Sequence, residues 1–193
     1  MLDFKGAKKY IVNRLEKDLN PNLYYHGLHH TLDVYKVSKE IAKREGISEE
    51  DTVLLNTAAL YHDSGFLFRY LNNEVLAGKL VREILPLFGY KTAQIKVITA
   101  IILTTRIEKR PHTLLEKIMC DSDYDYLGRG IEPTLKIAHT LHKELEENGF
   151  PFSDREWNNI QLKFLKKHEY YTESSLALRR PNKLVYYEYL KKP

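Results

Sequence analysis

The strongest constraint on the fold is a helix-start signal that recurs along the chain. Ser48 with Asp51, Thr113 with Glu116 and Ser153 with Glu156 each set a hydroxyl three residues ahead of a carboxylate, the spacing at which each side chain accepts a free backbone N–H of the other. Stop signals answer them at Asn20-Pro21-Asn22, Gly46, Gly89 and Asn148-Gly149. Residues 4–19 have a helical period, with Tyr10, Ile11 and Leu15 on one side. A second helix is expected over residues 26–45, a third from Ser48 to His62-Asp63, and another over 73–88. Pro133 suits the first turn of a helix reaching Glu147, and a last short one follows Pro181. Residues 95–103 are β-branched enough for a strand, with Thr92 placed to cap them as a helix. No strand partner lies nearby in sequence, so they read as a buried helix. The expectation is an all-α single domain over residues 1–193, with roughly seven to nine helices.

The composition agrees. With 9 Gly and 7 Pro in 193 residues, 43% hydrophobic and 29% charged, there is little material for long loops or disorder. A net charge of +4 is a mild excess spread along the chain, enough to favour a phosphorylated small molecule without requiring a dedicated nucleic-acid surface. The single Cys120 excludes an internal disulfide and fits a cytoplasmic protein. No stretch approaches the eighteen or so apolar residues of a membrane span, and the amphipathic residues 1–15 lack the apolar core of a signal peptide, so neither export nor a membrane is expected. Oligomeric state is left open.

Against this background three groups of polar residues stand out: His26 and His30, the pair His62-Asp63, and Asp121 with Asp123. In the second helix Val34, Val37 and Ile41 define the inward stripe, and extending it back by turns reaches His30 and then His26, whereas His29 falls in line with Asp33 and Lys36. His62 shares the face of Leu55, Ala58 and Ala59. From Leu115, Ile118 and Met119, one more turn brings either Asp121 or Asp123 inward. Buried carboxylates and imidazoles at separated points call for a compensating cation, and such oxygen and nitrogen donors suit metal-assisted hydrolysis.

The order H…HD…D in helical contexts resembles the HD superfamily of metal-dependent phosphohydrolases, an all-α bundle, over roughly residues 24–128, with carboxy-terminal helices in 131–193 packed on it. Tyr25-His26 with His30 and Val34 is similar to the YHxxxH…V motif of cyclic-nucleotide phosphodiesterases; AALYHDSGF and CDSDYDYLG resemble the superfamily's central and closing motifs. The tail around EWNNIQLKFLKKHEYYT is similar to uncharacterised bacterial HD proteins. The resemblance implies His30, His62, Asp63 and Asp123 as ligands of one divalent transition metal (Mn, Fe, Ni, Co or Zn), with Asp121 competing for the last place. One metal rather than two is expected because the segment after the HD pair has no histidine and offers only Asn73 and Glu74. His26 then corresponds to the acid that protonates the leaving oxygen, and Asp63 also serves the attacking water. Arg69, Lys79 and Arg106 are candidate phosphate partners. His168, with Tyr170 and Tyr171, either closes over the site or belongs to a core helix with Trp157, Leu162 and Leu165. The implied activity is hydrolysis of a phosphate ester of a nucleotide or related small molecule by a metal-activated water; the alternative is a metal-containing regulatory module that binds a nucleotide without turnover.

Overall fold

A computed structural model describes residues 1–192, and among them ten α-helices and no strand are found. They are α1 (Phe4–Asp18), α2 (Leu28–Glu45), α3 (Glu49–Tyr61), α4 (Asn73–Ile84), α5 (Thr92–Thr104), α6 (Leu114–Asp123), α7 (Ile131–Glu147), α8 (Asp154–Lys167), α9 (Glu173–Leu178) and α10 (Arg180–Leu190). Ten is slightly more than the seven to nine expected. The three start signals operate as such: Ser48 Oγ accepts the Asp51 N–H at 3.1 Å, Thr113 Oγ1 that of Glu116 at 3.3 Å, and Ser153 Oγ that of Glu156 at 3.4 Å. Helix α9, which the sequence reading omitted, starts on a fourth hydroxyl, Thr172, which accepts from Ser175.

Two boundaries differ from expectation. Helix α5 begins at Thr92 behind Lys91, whose N–H is taken by Gln94 Oε1 at 2.9 Å, so Thr92 is a helical residue and not the cap. The β-branched run is helical because α3, α4 and α6 all pack on it, burying Ile95, Ile98, Thr99, Ile101 and Ile102. Helix α2 begins at Leu28, two residues later than expected, after an extended Gly27. His26 therefore lies in the bend ahead of the helix, and its direction is not set by helical phase.

Two apolar clusters organise the chain. The larger joins α1 to α6 around Ile11, Leu15, Leu55, Ile98, Ile101 and Met119, all almost wholly buried, each burial stabilising by about 1.5–3 kcal/mol. The smaller gathers Tyr25, Tyr126, Leu127, Leu165 and Tyr186, attaching α8 and α10 to the bend before α2 and to the 3-10 turn Asp125–Gly128. The polar groups of interest sit where these clusters meet. Directly after His62-Asp63 the chain makes a 3-10 turn, Ser64–Leu67, pressed so flat on the start of α4 that a Cβ on Gly65 would lie 1.8 Å from the Asn73 carbonyl oxygen. None of the described helices is long and apolar enough to cross a membrane.

Candidate metal centre and the cavity beside it

Three helix ends deliver the donors. His30 stands in the first turn of α2, His62 caps the carboxyl end of α3 with Asp63 next to it, and Asp123 is the last residue of α6. His62 Nδ1 lies 2.9 Å from the Ala59 carbonyl and donates to it, which places a proton on Nδ1 and turns Nε2 toward the carboxylates. That Nε2 is 3.1 Å from Asp63 Oδ2 and 3.6 Å from Asp123 Oδ1; His30 Nε2 is 3.5 and 3.1 Å from the same two oxygens. Donor atoms of His30, His62 and Asp123 all lie within 4.8 Å of one another, close enough to share one ion.

The group fits a divalent cation on its own chemistry. His62 Nε2 and Asp63 Oδ2 are buried without a hydrogen-bond partner among the described residues, because their 3.1 Å approach is not aligned as one. Buried polar atoms left so cost about 1–3 kcal/mol each. Burial works against a charge on His62, yet Asp63 and Asp123 outweigh it and hold its pKa well above the ordinary value. Asp123 likewise is held low despite its burial, by its hydrogen bonds and charge contacts with His30 and His62. Positive charge is favoured at this point of the fold.

Asp121 is not brought to this group. It is fully buried on another face of α6, where it accepts the N–H groups of Tyr171 and Thr172 and the Thr172 hydroxyl, the last at 2.6 Å. Its carboxylate fixes the segment that starts α9, and it is not among the donors that lie together. The two acids are two residues apart, about 200° around a helix, so they face opposite ways.

A cavity of about 410 Å³ opens beside the donors, with Asp63, Asp123 and His26 on its wall, Phe66 and Tyr70 beside His26, and Trp157, Phe164 and Tyr186 also lining it. Asn73 and Glu74 line it too, and burial raises the Glu74 pKa. Of the three candidate phosphate partners, Arg69 and Lys79 are exposed and line no part of it. Arg106 is half-buried between Thr105 and Ile107, both on the cavity wall, and is 3.7 Å from Glu108. It faces a second, more basic hollow with Lys109, Lys163 and Lys167. His168 ends α8, packs on Tyr124, Phe164 and Tyr170 and lines no part of the cavity beside the donors; burial and then the Lys183 charge lower its pKa to about 3. Its position agrees with a core role.

Two residues of this region were not singled out from the sequence. Glu144 of α7 is wholly buried and pairs with His26 through Nδ1, and Tyr70 donates to it at 3.1 Å. Burial opposes charge on His26, but its hydrogen bond to Glu144 prevails and raises its pKa. The available signal was a glutamate three residues past Leu141, on the apolar side of α7 with Ala138 and Leu145.

The chain's overall path matches solved structures of low sequence identity. Bacillus subtilis YpgQ, solved in complex with ADP, superposes with a TM-score of 0.65 at 15% identity, covering 98% of this chain and 94% of that one. A Lactobacillus plantarum protein solved by structural genomics gives 0.67 at 16%, covering 98% and 95%. These likenesses carry the fold. No curated protein matches. The family model described as HD domain matches residues 27–126, just over half of the chain, and spans all four grouped donors. With its paired imidazoles and carboxylates at the ends of α2, α3 and α6, the chain belongs to the HD domain family, a superfamily of metal-dependent phosphohydrolases.

Proposed function

We propose that the protein hydrolyses a phosphate ester of a nucleotide or a related small molecule, using one divalent transition metal held by His30, His62, Asp63 and Asp123. The observation that carries this reading is the meeting of two unsatisfied buried ligand atoms, His62 Nε2 and Asp63 Oδ2, with an unligated histidine on the wall of the same cavity. A divalent cation supplies Lewis acidity toward water and a phosphoryl oxygen. Asp63 orients the attacking water and takes its proton as the new P–O bond forms. His26 gives a proton to the oxygen that departs as the old P–O bond breaks. The aromatic walls exclude water and offer ring faces to a base, and the ADP in the YpgQ complex agrees with a nucleotide occupant. Of the three candidate phosphate partners, Arg106 stands nearest the cavity, between the wall residues Thr105 and Ile107.

The experiment is a metal analysis of the purified protein, then turnover of mononucleotides, cyclic nucleotides and a generic phosphodiester with Mn²⁺, beside Asp63→Ala. The expected result is bound transition metal and a loss of about 10²-fold or more in the variant. Metal-free protein whose turnover equals that of the variant across the panel ends the hydrolase reading. Nucleotide binding without turnover would favour a regulatory module.

A further inference from the structure

Glu144 lies outside the residues matched by the family model, 118 positions along the chain from His26, yet its carboxylate is one of the most completely engaged in the molecule. Oε2 accepts the backbone N–H groups of Tyr25 at 2.6 Å and His26 at 2.9 Å. Oε1 pairs with His26 Nδ1 and accepts the Tyr70 hydroxyl at 3.1 Å. Both oxygens thus have two partners, which fills the acceptor capacity of a carboxylate and fixes its plane. The imidazole is fixed in turn: Glu144 holds one edge, and Phe66 stacks on its face with ring centroids 4.5 Å apart and planes 29° from parallel. Nε2, on the edge away from Glu144, has no protein partner among the described residues, and His26 lines the cavity.

From this geometry we infer that Glu144 is the positioning residue of the acid: it holds a proton on Nδ1 of His26 and so aims Nε2–H at the departing oxygen, with Tyr70 steadying the same carboxylate from the cavity wall. A carboxylate on one imidazole nitrogen selects the tautomer and stabilises the cationic form able to give a proton at the other. The bend before α2 needs this external anchor because it is not helical, and α7 supplies it. The inference rests on the hydrolase reading for its catalytic half and on the carboxylate's contacts for its positioning half.

Leaving-group dependence separates positioning of an acid from general structural support. Glu144→Gln keeps the shape but replaces one acceptor oxygen with a donor. With Mn²⁺-loaded protein, it is expected to lower kcat about 10²-fold on an ester whose leaving group is an alkyl alcohol, and only a few-fold on a 4-nitrophenyl ester, which departs without a proton. His26→Ala should show the same selective loss, and the double variant should be no worse than His26→Ala alone, since one residue acts through the other. Equal losses on both esters, or additive losses in the double variant, overturn the inference. Histidine-selective ¹⁵N NMR of the wild type provides a test independent of turnover and of the variant's folding: the His26 signal is expected to show a protonated Nδ1 held to carboxylate. A bare Nδ1 overturns the positioning claim outright. Wild-type protein inactive on both esters, with Nδ1 protonated, upholds the positioning and removes the hydrolase reading alone.

Discussion

Asp121 and Asp123 offer a decisive contrast, because two acids of one helix turn are assigned opposite work. Removing Asp121 with Asp121→Ala strips the acceptor from the part-buried Tyr171 N–H and from the buried Thr172 N–H and hydroxyl. Each stranded donor costs about 1–3 kcal/mol. Burial itself raises the Asp121 pKa and these hydrogen bonds only partly offset that, so the net effect belongs near the low end of the sum, about 3 kcal/mol. For a chain of this size that is a fall in Tm of roughly 6–12 °C. Asp123→Ala instead removes the hydrogen-bond partner of His30 Nε2 and one of the two carboxylates beside His62, so its expected signature is a collapse of metal affinity. The assay is urea denaturation in EDTA together with Mn²⁺ titration by calorimetry for both variants. If Asp121→Ala loses metal while keeping its stability, and Asp123→Ala binds metal normally, the assignment of the ligand set is wrong.

Three further outcomes are expected. Saturating wild-type protein with Mn²⁺ at about 100 times Kd should add about 2.7 kcal/mol of stability, or roughly 5–11 °C in Tm, and His62→Ala should abolish that increment; an equal shift in the variant argues against the site. His168 has a folded pKa of about 3 against about 6.5 when unfolded, so between those values the unfolded chain binds the extra proton and stability falls as pH is lowered, by up to about 1.4 kcal/mol per pH unit. His168→Gln should therefore narrow the gap between urea midpoints at pH 7 and pH 5, and an unchanged gap refutes the assignment. Gly65→Ala would drive a Cβ into the Asn73 carbonyl, and should cost about 1–3 kcal/mol while weakening metal binding through Asp63, read by thermal melting and the same titration.

Local chemistry carried much of the fold. The hydroxyl–carboxylate starts at Ser48, Thr113 and Ser153 need only three-residue spacing, so they were legible in the chain and set α3, α6 and α8. Helical phase also separated His30 from His29, because the inward stripe of α2 continues unbroken to its first turn. The same argument went too far at His26, where the helix had not begun and the bend is held by a carboxylate from α7. Helix phase alone left Asp121 and Asp123 open, since the apolar residues of α6 reach both sides of the helix and only the approach of the α8–α9 segment decides which acid is occupied elsewhere.

By itself, then, the sequence determined a helical chain and the residue types of a cation site, because caps, stops and apolar period act within a few residues. The tertiary structure decided that His30, His62, Asp63 and Asp123 meet, that Asp121 does not join them, and that Glu144 stands behind His26. Those are matters of which distant helix ends come together, and hydrogen bonds between residues some fifty to 118 positions apart leave no periodic trace in the chain.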